Sequence, residues 1–378
     1  MSTEFDRPFW ESDVTRPAWP PYEGDVEVDL CVVGLGGSGL AAILQATQLG
    51  LCVVGIDAGR IAGQAAGRNG GLILVGTADA YHEAVARVGR ECAARMYQAT
   101  LDEMARTVEL IPELVSITGV LRLEDTEEGL ADCEVQLSAL HADGFSAHRY
   151  EGRQGQGLLI DTDGSFHPVA RALVFAQMAV AQGARLYEHT PALTVTSHAV
   201  TTPHGVIRAR HIIVATDGYL TRVLPETAAH VRQVRLQMIA TAPQSEVMFD
   251  YPGYAHFGYN YWQQRPNGAV VIGGGRHTVR DFEYTDNMIS TEPVRDYLQA
   301  RLSRLGVSAP ITHAWAGIVT YTDSGQPFVG QVQPDVYGLG GFCGTGNIVG
   351  TLLGRELVNL IVEGHSATAN DFGYQSLI

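Results

Sequence analysis

The stretch LCVVGLGGSGLAAILQATQLGLCVVGID, Leu30 to Asp57, carries no charged side chain before its last residue. Twenty-seven uncharged residues could cross a bilayer, for which about 20 apolar residues suffice, so the run is either an anchor or the centre of the fold. Gly34, Gly36, Gly37 and Gly39 decide between these. Four glycines within six positions break a spanning helix and make a turn. The run therefore divides into a strand (VDLCVVG), a helix (GGSGLAAILQATQLG) with Leu40, Ile43, Leu44 and Thr47 on one face, and a second strand (LCVVGID). Between Leu30 and Ile56 both strands lack charge because a parallel strand is covered on both faces. No membrane span is expected.

The glycines fall as Gly34-x-Gly36-x-x-Gly39, and Asp57 closes the second strand 23 residues after the first of them. The first glycine permits the tight turn, the second lets backbone approach a pyrophosphate, and the third lets the helix pack against the strand. The turn Gly36, Gly37, Ser38, Gly39 presents free N–H groups and the positive end of a helix dipole to phosphate. Asp57 can accept from both hydroxyls of an adenosine ribose and so favours a cofactor without a 2′-phosphate. A lone GxGxxG is a weak signal, but strand, glycines, helix, strand and acid in this order make a dinucleotide site.

At 378 residues the chain exceeds the size at which single cores stop growing, roughly 250 to 300 residues, and two lobes are expected. A net charge of −16 argues against nucleic acid as a partner, because phosphate binding rests on an excess of basic side chains. All 25 basic residues are arginine, so no lysine is available for a Schiff base or as a point charge. Cys31, Cys52, Cys92, Cys133 and Cys343 have neither CxxC nor metal-ligand spacing. No metal site is expected, and the thiols read as reduced ones in a cytoplasmic protein. The first 25 residues are acidic, contain Pro and Trp, and lack the basic start and apolar run of a signal peptide. They read as an irregular arm on the surface.

After Asp57 the segment AGRIAGQAAGRNGGLILVG (58–76) shows no helical or strand period before Leu72. An NAD enzyme continues from its acid into another helix and strand, whereas a flavoprotein needs an extended segment that runs along the pyrophosphate toward the isoalloxazine. The segment fits the second. With GRNGG at 67–71, VIRARHIIVATDGYL at 206–220, NGAVVIGGGRHT at 267–278 and the glycine-rich run at 313–361, the chain resembles the glycine/D-amino-acid oxidase-like flavoproteins, the DAO family. The resemblance covers nearly the whole chain and is weakest over 77–160, a segment expected to be mostly helical and to cap the pocket.

The resemblance implies FAD and an α/β fold; the family's usual cysteine for covalent attachment, near Gly317, is missing, so the FAD is expected to be non-covalent. A Rossmann-like FAD-binding lobe of the DAO type would be built from 1–85, 155–225 and 318–378, and an inserted α+β substrate lobe with an antiparallel sheet from 86–154 and 226–317. By motif, Ala58 and the run Gly67, Arg68, Asn69, Gly70, Gly71, Leu72 lie along the cofactor. Ala192 meets adenine, Ala215 and Thr216 lie near ribose and pyrophosphate, and Gly341, Phe342, Gly344, Thr345, Gly346 and Asn347 face the flavin ring. The residue pattern is consistent: Pro168 opens a helix with Ala172, Phe175, Met178 and Ala179 inward, and a last helix from about Asn347 to Val362 keeps Val349, Leu353, Leu357 and Leu360 on one face. Its N-terminus can stabilise the negative charge that reduction leaves on the flavin pyrimidine.

The family oxidises a carbon next to an amine nitrogen: hydride passes to the flavin, the imine is hydrolysed, and O2 or an electron carrier takes the electrons. Such chemistry needs positioning, a neutral amine and exclusion of water rather than a triad or a metal. Two departures bear on the small-molecule amine substrate that the resemblance implies. Where many members clamp a carboxylate with an arginine two residues after W-x-G, Val319 stands, and where others hold a lysine after the last G-x-G, Ile348 stands. An amine or N-substituted amine is thereby favoured over a small free amino acid, with Arg276 or Arg68 left to meet any carboxylate. Without lysine, either Arg276 is the fixed cation that promotes reaction with oxygen, or the enzyme is a dehydrogenase. Alternation sets Phe257, Tyr259 and Tyr261 on one face of a strand and His256, Gly258, Asn260 and Trp262 on the other. Tyr259, Tyr261 and Trp315 join Arg276 as site candidates, and His256, His277 and His313 are expected to be structural. No Gly-Asp pair marks a flavin monooxygenase and no cysteine pair a disulfide reductase, so a non-catalytic FAD-containing binder is the remaining alternative.

Overall fold

The computed structural model describes residues 6–378. The glycine-rich run forms the expected unit: strand Val26–Val33, helix Gly37–Gln48 and strand Val53–Ile56. The first strand pairs in parallel with Val53–Ile56 on one side and with Gly205–Val214 on the other, so that Val33 lies beside both Ile56 and Val214. Arg185–Tyr187 and Val336–Gly340 extend this parallel set at either side. The complete sheet has nine strands, with Phe328–Gln333, Gln375–Ser376, Thr194–Thr196 and Ala199–Thr202 as its outer members. Its parallel strands end together at Val33, Ile56 and Val214, where ligands of such sheets bind. Helices Pro168–Ala181 and Thr351–Glu363 flank Gly37–Gln48.

A second sheet of eight strands runs in the order Ile311–Tyr321, Arg232–Thr241, Val270–Gly274, Asn260–Gln264, Gly253–Ala255, Val120–Glu124, Gly155–Ile160, His148–Gly152. All neighbours are antiparallel except Gly253–Ala255 beside Val120–Glu124. Period-two alternation gives the sheet two apolar faces. Ile239, Val270, Ile272 and Trp262 pack with Val294, Leu298 and Leu302 of helix Glu292–Arg304. Met238, Ala240, Val271 and Trp315 turn the other way and share a core with Leu40, Ile43 and Leu353 of the first lobe. That shared face holds the second sheet over the glycine-rich segments.

Several expectations are corrected. Segment 77–160 is helical over Tyr81–Val88, Arg90–Leu110 and Glu127–Ala142, but it also supplies three strands of the second sheet. The sequence period is weak there because Gly155 and Gly157 sit in the strand, both with positive φ. Strand Gly155–Ile160 pairs in the second sheet, although the division by sequence sets residue 155 with the FAD lobe, and the boundary at 318 falls inside strand Ile311–Tyr321. The N-terminal arm is not a surface feature throughout. Trp10 is completely buried, and its indole N–H donates to the carbonyl of Asn69 at 2.8 Å. The last helix begins with a wide π-type turn, Gly346–Gly350, before Thr351–Glu363.

Candidate active site

The first cluster of predicted residues gathers where the parallel strands end. Gly34 has φ +103°, and a Cβ there would come 2.6 Å from the Ala215 carbonyl oxygen; one on Gly39 would come 1.9 Å from the carbonyl oxygen of Gly34. Only glycine lets helix and strands close to this distance. Gly36 precedes the helix without any side-chain cap, so the N–H groups of the first turn have no intrahelical partner. Gly37 and Ser38 are buried in that turn. The Asp57 carboxylate is fixed by the N–H groups of Leu35 and Gly59, each at 2.8 Å. Burial pushes its pKa up, against the pull of these two bonds. Ala58 is exposed beside it, Ala192 is half-buried, and Ala215 is buried. The Thr216 hydroxyl is buried with no hydrogen-bond partner among the described residues.

The second cluster joins two distant loops through asparagine pairs. Ala65–Arg68 forms one helical turn, whose carbonyls of Ala65 and Ala66 accept from Asn69 Nδ2. Asn69 Oδ1 accepts from Gly71 N and from Asn347 Nδ2, and Asn347 Nδ2 also donates to the Leu72 carbonyl at 2.8 Å. Gly67 is buried within the turn. Gly70 lies against the Tyr261 ring, which a Cβ would meet at 2.7 Å. In the C-terminal loop, Gly341, Cys343 and Gly344 all have positive φ, and the Phe342 ring supports Gly346 and Gly350. The Thr345 hydroxyl donates to the Phe342 carbonyl.

Asp217 pins this loop to the second sheet: its Oδ1 accepts from the Thr320 hydroxyl and from Gly341 N. Burial pushes the Asp217 carboxyl up to about 6 from its ordinary 3.8, although bonds from Thr320, Gly341 and Phe342 pull the other way. Between those values the folded state holds more protons than the unfolded one, so the contribution is whole below about 4 and is lost as pH rises through about 6. Melting temperatures of Asp217→Asn should be flatter across this window than those of the natural protein, whose stability falls by about 3 kcal/mol from this group. Parallel pH profiles would refute the assignment.

A cavity of about 680 Å³ opens between the two sheets. Arg68, Asn69, Gly70, Leu72, Gly344, Thr345 and Asn347 wall one side, and Tyr259, Tyr261, Arg276, Val319 and Tyr321 face them. The Arg276 guanidinium stands over the rings of Tyr259 (5.2 Å) and Tyr321 (4.8 Å), and no carboxylate pairs with it among the described residues. Its Nε is buried and unpartnered. Arg68 differs: its guanidinium donates to the carbonyls of Gly63 and Ala316, so it ties backbone and is not a free cation. Trp315 is also corrected. It is fully buried behind the wall, donating to the Arg68 carbonyl at 2.9 Å. His256 and Phe257 lie in a turn with positive φ rather than in the strand, which begins at Asn260. From there the alternation holds, with Tyr261 toward the cavity and Trp262 toward helix Glu292–Arg304.

The sequence reading missed Arg171, the lone charge of the apolar helix Pro168–Ala181. It is 1% exposed, donates to the Asn347 carbonyl at 2.7 Å and to Asn347 Oδ1 at 3.3 Å, and lies over the Phe166 ring. Its guanidinium would touch a Cβ on Gly37 at 2.9 Å, and its Nε has no partner. An uncapped helix start, an unpaired buried guanidinium beside it and an orphan Thr216 hydroxyl fit a diphosphate-bearing cofactor. At the outer rim His82, Glu83 and Asp132 approach one another within 4.8 Å, but Asp132 pairs with Arg122 and Glu83 caps Ala80 N.

Residues 29–360 match the family DAO, described as FAD dependent oxidoreductase. A probable oxidoreductase OrdL of Rhizobium meliloti is 27% identical over 91% of this chain and 85% of that protein. Gamma-glutamylputrescine oxidoreductase of Escherichia coli is 26% identical over 89% and 84%. Among solved structures, glycine oxidase from Geobacillus kaustophilus superposes with a TM-score of 0.77 at 18% identity, covering 90% of this chain and 96% of that one. L-proline dehydrogenase from P. horikoshii gives 0.75 at 18% identity, covering 92% and 96%. By sequence and by fold, the chain belongs to the DAO family of FAD-dependent oxidoreductases.

Proposed function

We propose that this protein oxidises the C–N bond of an amine, and that its substrate is an amine or N-substituted amine rather than a small free amino acid. One observation carries the reading: the cavity is walled by both glycine-rich loops and, facing them, by Tyr259, Tyr261 and Tyr321, yet neither usual carboxylate anchor is present. Val319 lines it with an apolar side chain, and Ile348 is buried in the core with Ile73, Met104 and Phe166. The name of one relative, gamma-glutamylputrescine oxidoreductase of Escherichia coli, supports an amine substrate.

FAD, when bound, supplies the two-electron acceptor. The amides of Gly36, Gly37, Ser38 and Gly39, with Arg171 and Thr216, would hold its diphosphate. Asp57, Ala58, Ala192 and Ala215 would meet the adenosine, and the runs Gly67–Leu72 and Gly341–Asn347 the ring system. No cysteine but Cys343 lines the cavity among the described residues, and we read this thiol, whose Sγ accepts from Thr322 N at 3.4 Å, as inert and the FAD as non-covalently held. The rings of Tyr259, Tyr261 and Tyr321 keep water from the reacting carbon. Arg276 acts on the proton of the substrate: a fixed cation nearby disfavours an ammonium and so keeps the reacting nitrogen neutral.

Anaerobic titration tests this reading. Amines are expected to bleach the flavin at lower concentrations than glycine or alanine. Flavin bleached by neither class would leave the non-catalytic binder as the better account. For the acceptor we take O2, with Arg276 as the cation that assists it. Arg276→Gln should slow reoxidation in air by about 10²-fold, more than it slows reduction by amine. If the reduced natural enzyme persists in air, the acceptor is a carrier instead.

A further inference from the structure

The same cavity is also walled by Tyr81, Tyr97, Arg122, Gln136, Asp163 and Tyr254, which we take as its far end. Asp163 is 3% exposed. Its backbone is fixed by bonds from Asp163 N to the Ile160 carbonyl and from Gly119 N to its own carbonyl, and its Oδ1 accepts from Val75 N at 2.8 Å. Its Oδ2 has no partner, and no arginine or histidine pairs with the carboxylate among the described residues. A buried carboxylate without a counter-ion is costly. The neighbouring cation does not relieve it, because Arg122 is spent on Asp132 and Gln136, with Glu124 3.9 Å from its Nε. Glu124 and Asp132 share the one guanidinium, and Asp132 also meets His82 at 3.1 Å, so no cation is left for Asp163 among the described residues. The aromatic rings of Tyr81 and Tyr97 meet edge to face at 5.2 Å beside them, giving π faces suited to a cation.

We infer that this far end is an ammonium subsite, so that the substrate carries a second, cationic nitrogen besides the one that is oxidised. The inference rests on the amine-oxidation reading and narrows its substrate to diamines and their N-substituted relatives. Asp163 Oδ2 accepts from the distal ammonium, and the Tyr97 and Tyr254 rings enclose it. Arg276 at the other end repels charge, so the field along the cavity orients the molecule: the neutral nitrogen lies at the flavin-facing loops and the ammonium lies at Asp163. Burial holds the Asp163 carboxyl well above the ordinary carboxylate range, and an arriving ammonium would favour its charged form.

The test uses the FAD-loaded protein, a straight-chain α,ω-diamine series and the matching monoamines without oxygen, with dissociation constants read from the concentration dependence of the flavin-reduction rate or, where no reduction occurs, from perturbation of the flavin spectrum. The best diamine is expected to bind at least ~10-fold more tightly than its monoamine, and Asp163→Asn to bring that ratio close to one. A ratio near one in the natural protein, or a ratio that survives in Asp163→Asn, overturns the subsite. Should Asp163→Asn fail to fold, Tyr254→Leu serves in its place: a ratio reduced several-fold supports the inference, and an unchanged ratio overturns it. Selective diamine binding without bleaching would sink the oxidation reading and leave the subsite standing.

Discussion

Gly39→Ala is expected to purify colourless. The added methyl would lie 1.9 Å from the carbonyl oxygen of Gly34, and both partners are backbone, so no rotamer change relieves the contact. Relief requires the helix Gly37–Gln48 to move away from strand Val26–Val33, which carries the phosphate-facing amides out of register with Thr216 and Asp57. A clash of this kind costs about 3 kcal/mol or more, and FAD affinity should fall by at least ~10²-fold. Gly59→Ala is the control, because its Cβ would meet Asp57 Oδ1 at an ordinary 3.7 Å. The ratio of visible flavin absorbance to protein absorbance reads both variants. A yellow Gly39→Ala protein with the natural ratio would remove the proposed cofactor cradle.

Arg171→Leu should separate the protein without cofactor from the loaded one. In the former, the guanidinium is a buried cation with no carboxylate at ion-pair distance among the described residues, since Glu103 is taken by Arg355. Burial lowers its pKa to about 10, which still leaves it charged at neutral pH. Deleting such a charge relieves a desolvation cost and loses the bonds to Asn347, so the melting temperature without FAD should change little. With FAD the same deletion removes the diphosphate's buried partner, a loss of about 3 to 5 kcal/mol, or at least ~10²-fold in affinity. The increase in melting temperature on adding FAD should shrink accordingly. Equal FAD affinity in the two proteins would reassign Arg171 to packing.

The two lobes differed in how legible they were. Strand, turn, helix and strand over Val26–Ile56 could be read directly, because burial on both faces removes charge and a close helix–strand contact demands glycine. Asp57 followed from its place at the end of the second strand. The capping segment resisted, since its strands Val120–Glu124 and Gly155–Ile160 pair across 30 or more residues and carry Arg122 and Glu124 inward. No local period reports such pairing. Trp10 was misplaced for a similar reason: its partner, the Asn69 carbonyl, is 59 residues away.

The sequence by itself determined the glycine turns proposed to face the cofactor, because they are set by local backbone geometry: glycines where a Cβ would strike a carbonyl, and helix starts without caps. Which side chains share the cavity was decided only by the tertiary structure. Arg276 and Arg68 are equally charged on paper, yet one stands free between two aromatic rings and the other is spent on carbonyls. Asp163 and Arg171 become buried ionisable groups without a counter-ion only once strands and helices distant in the chain close around them. Charge in a sequence is a sum over residues, whereas its chemistry depends on which partners and how much water the fold leaves within reach.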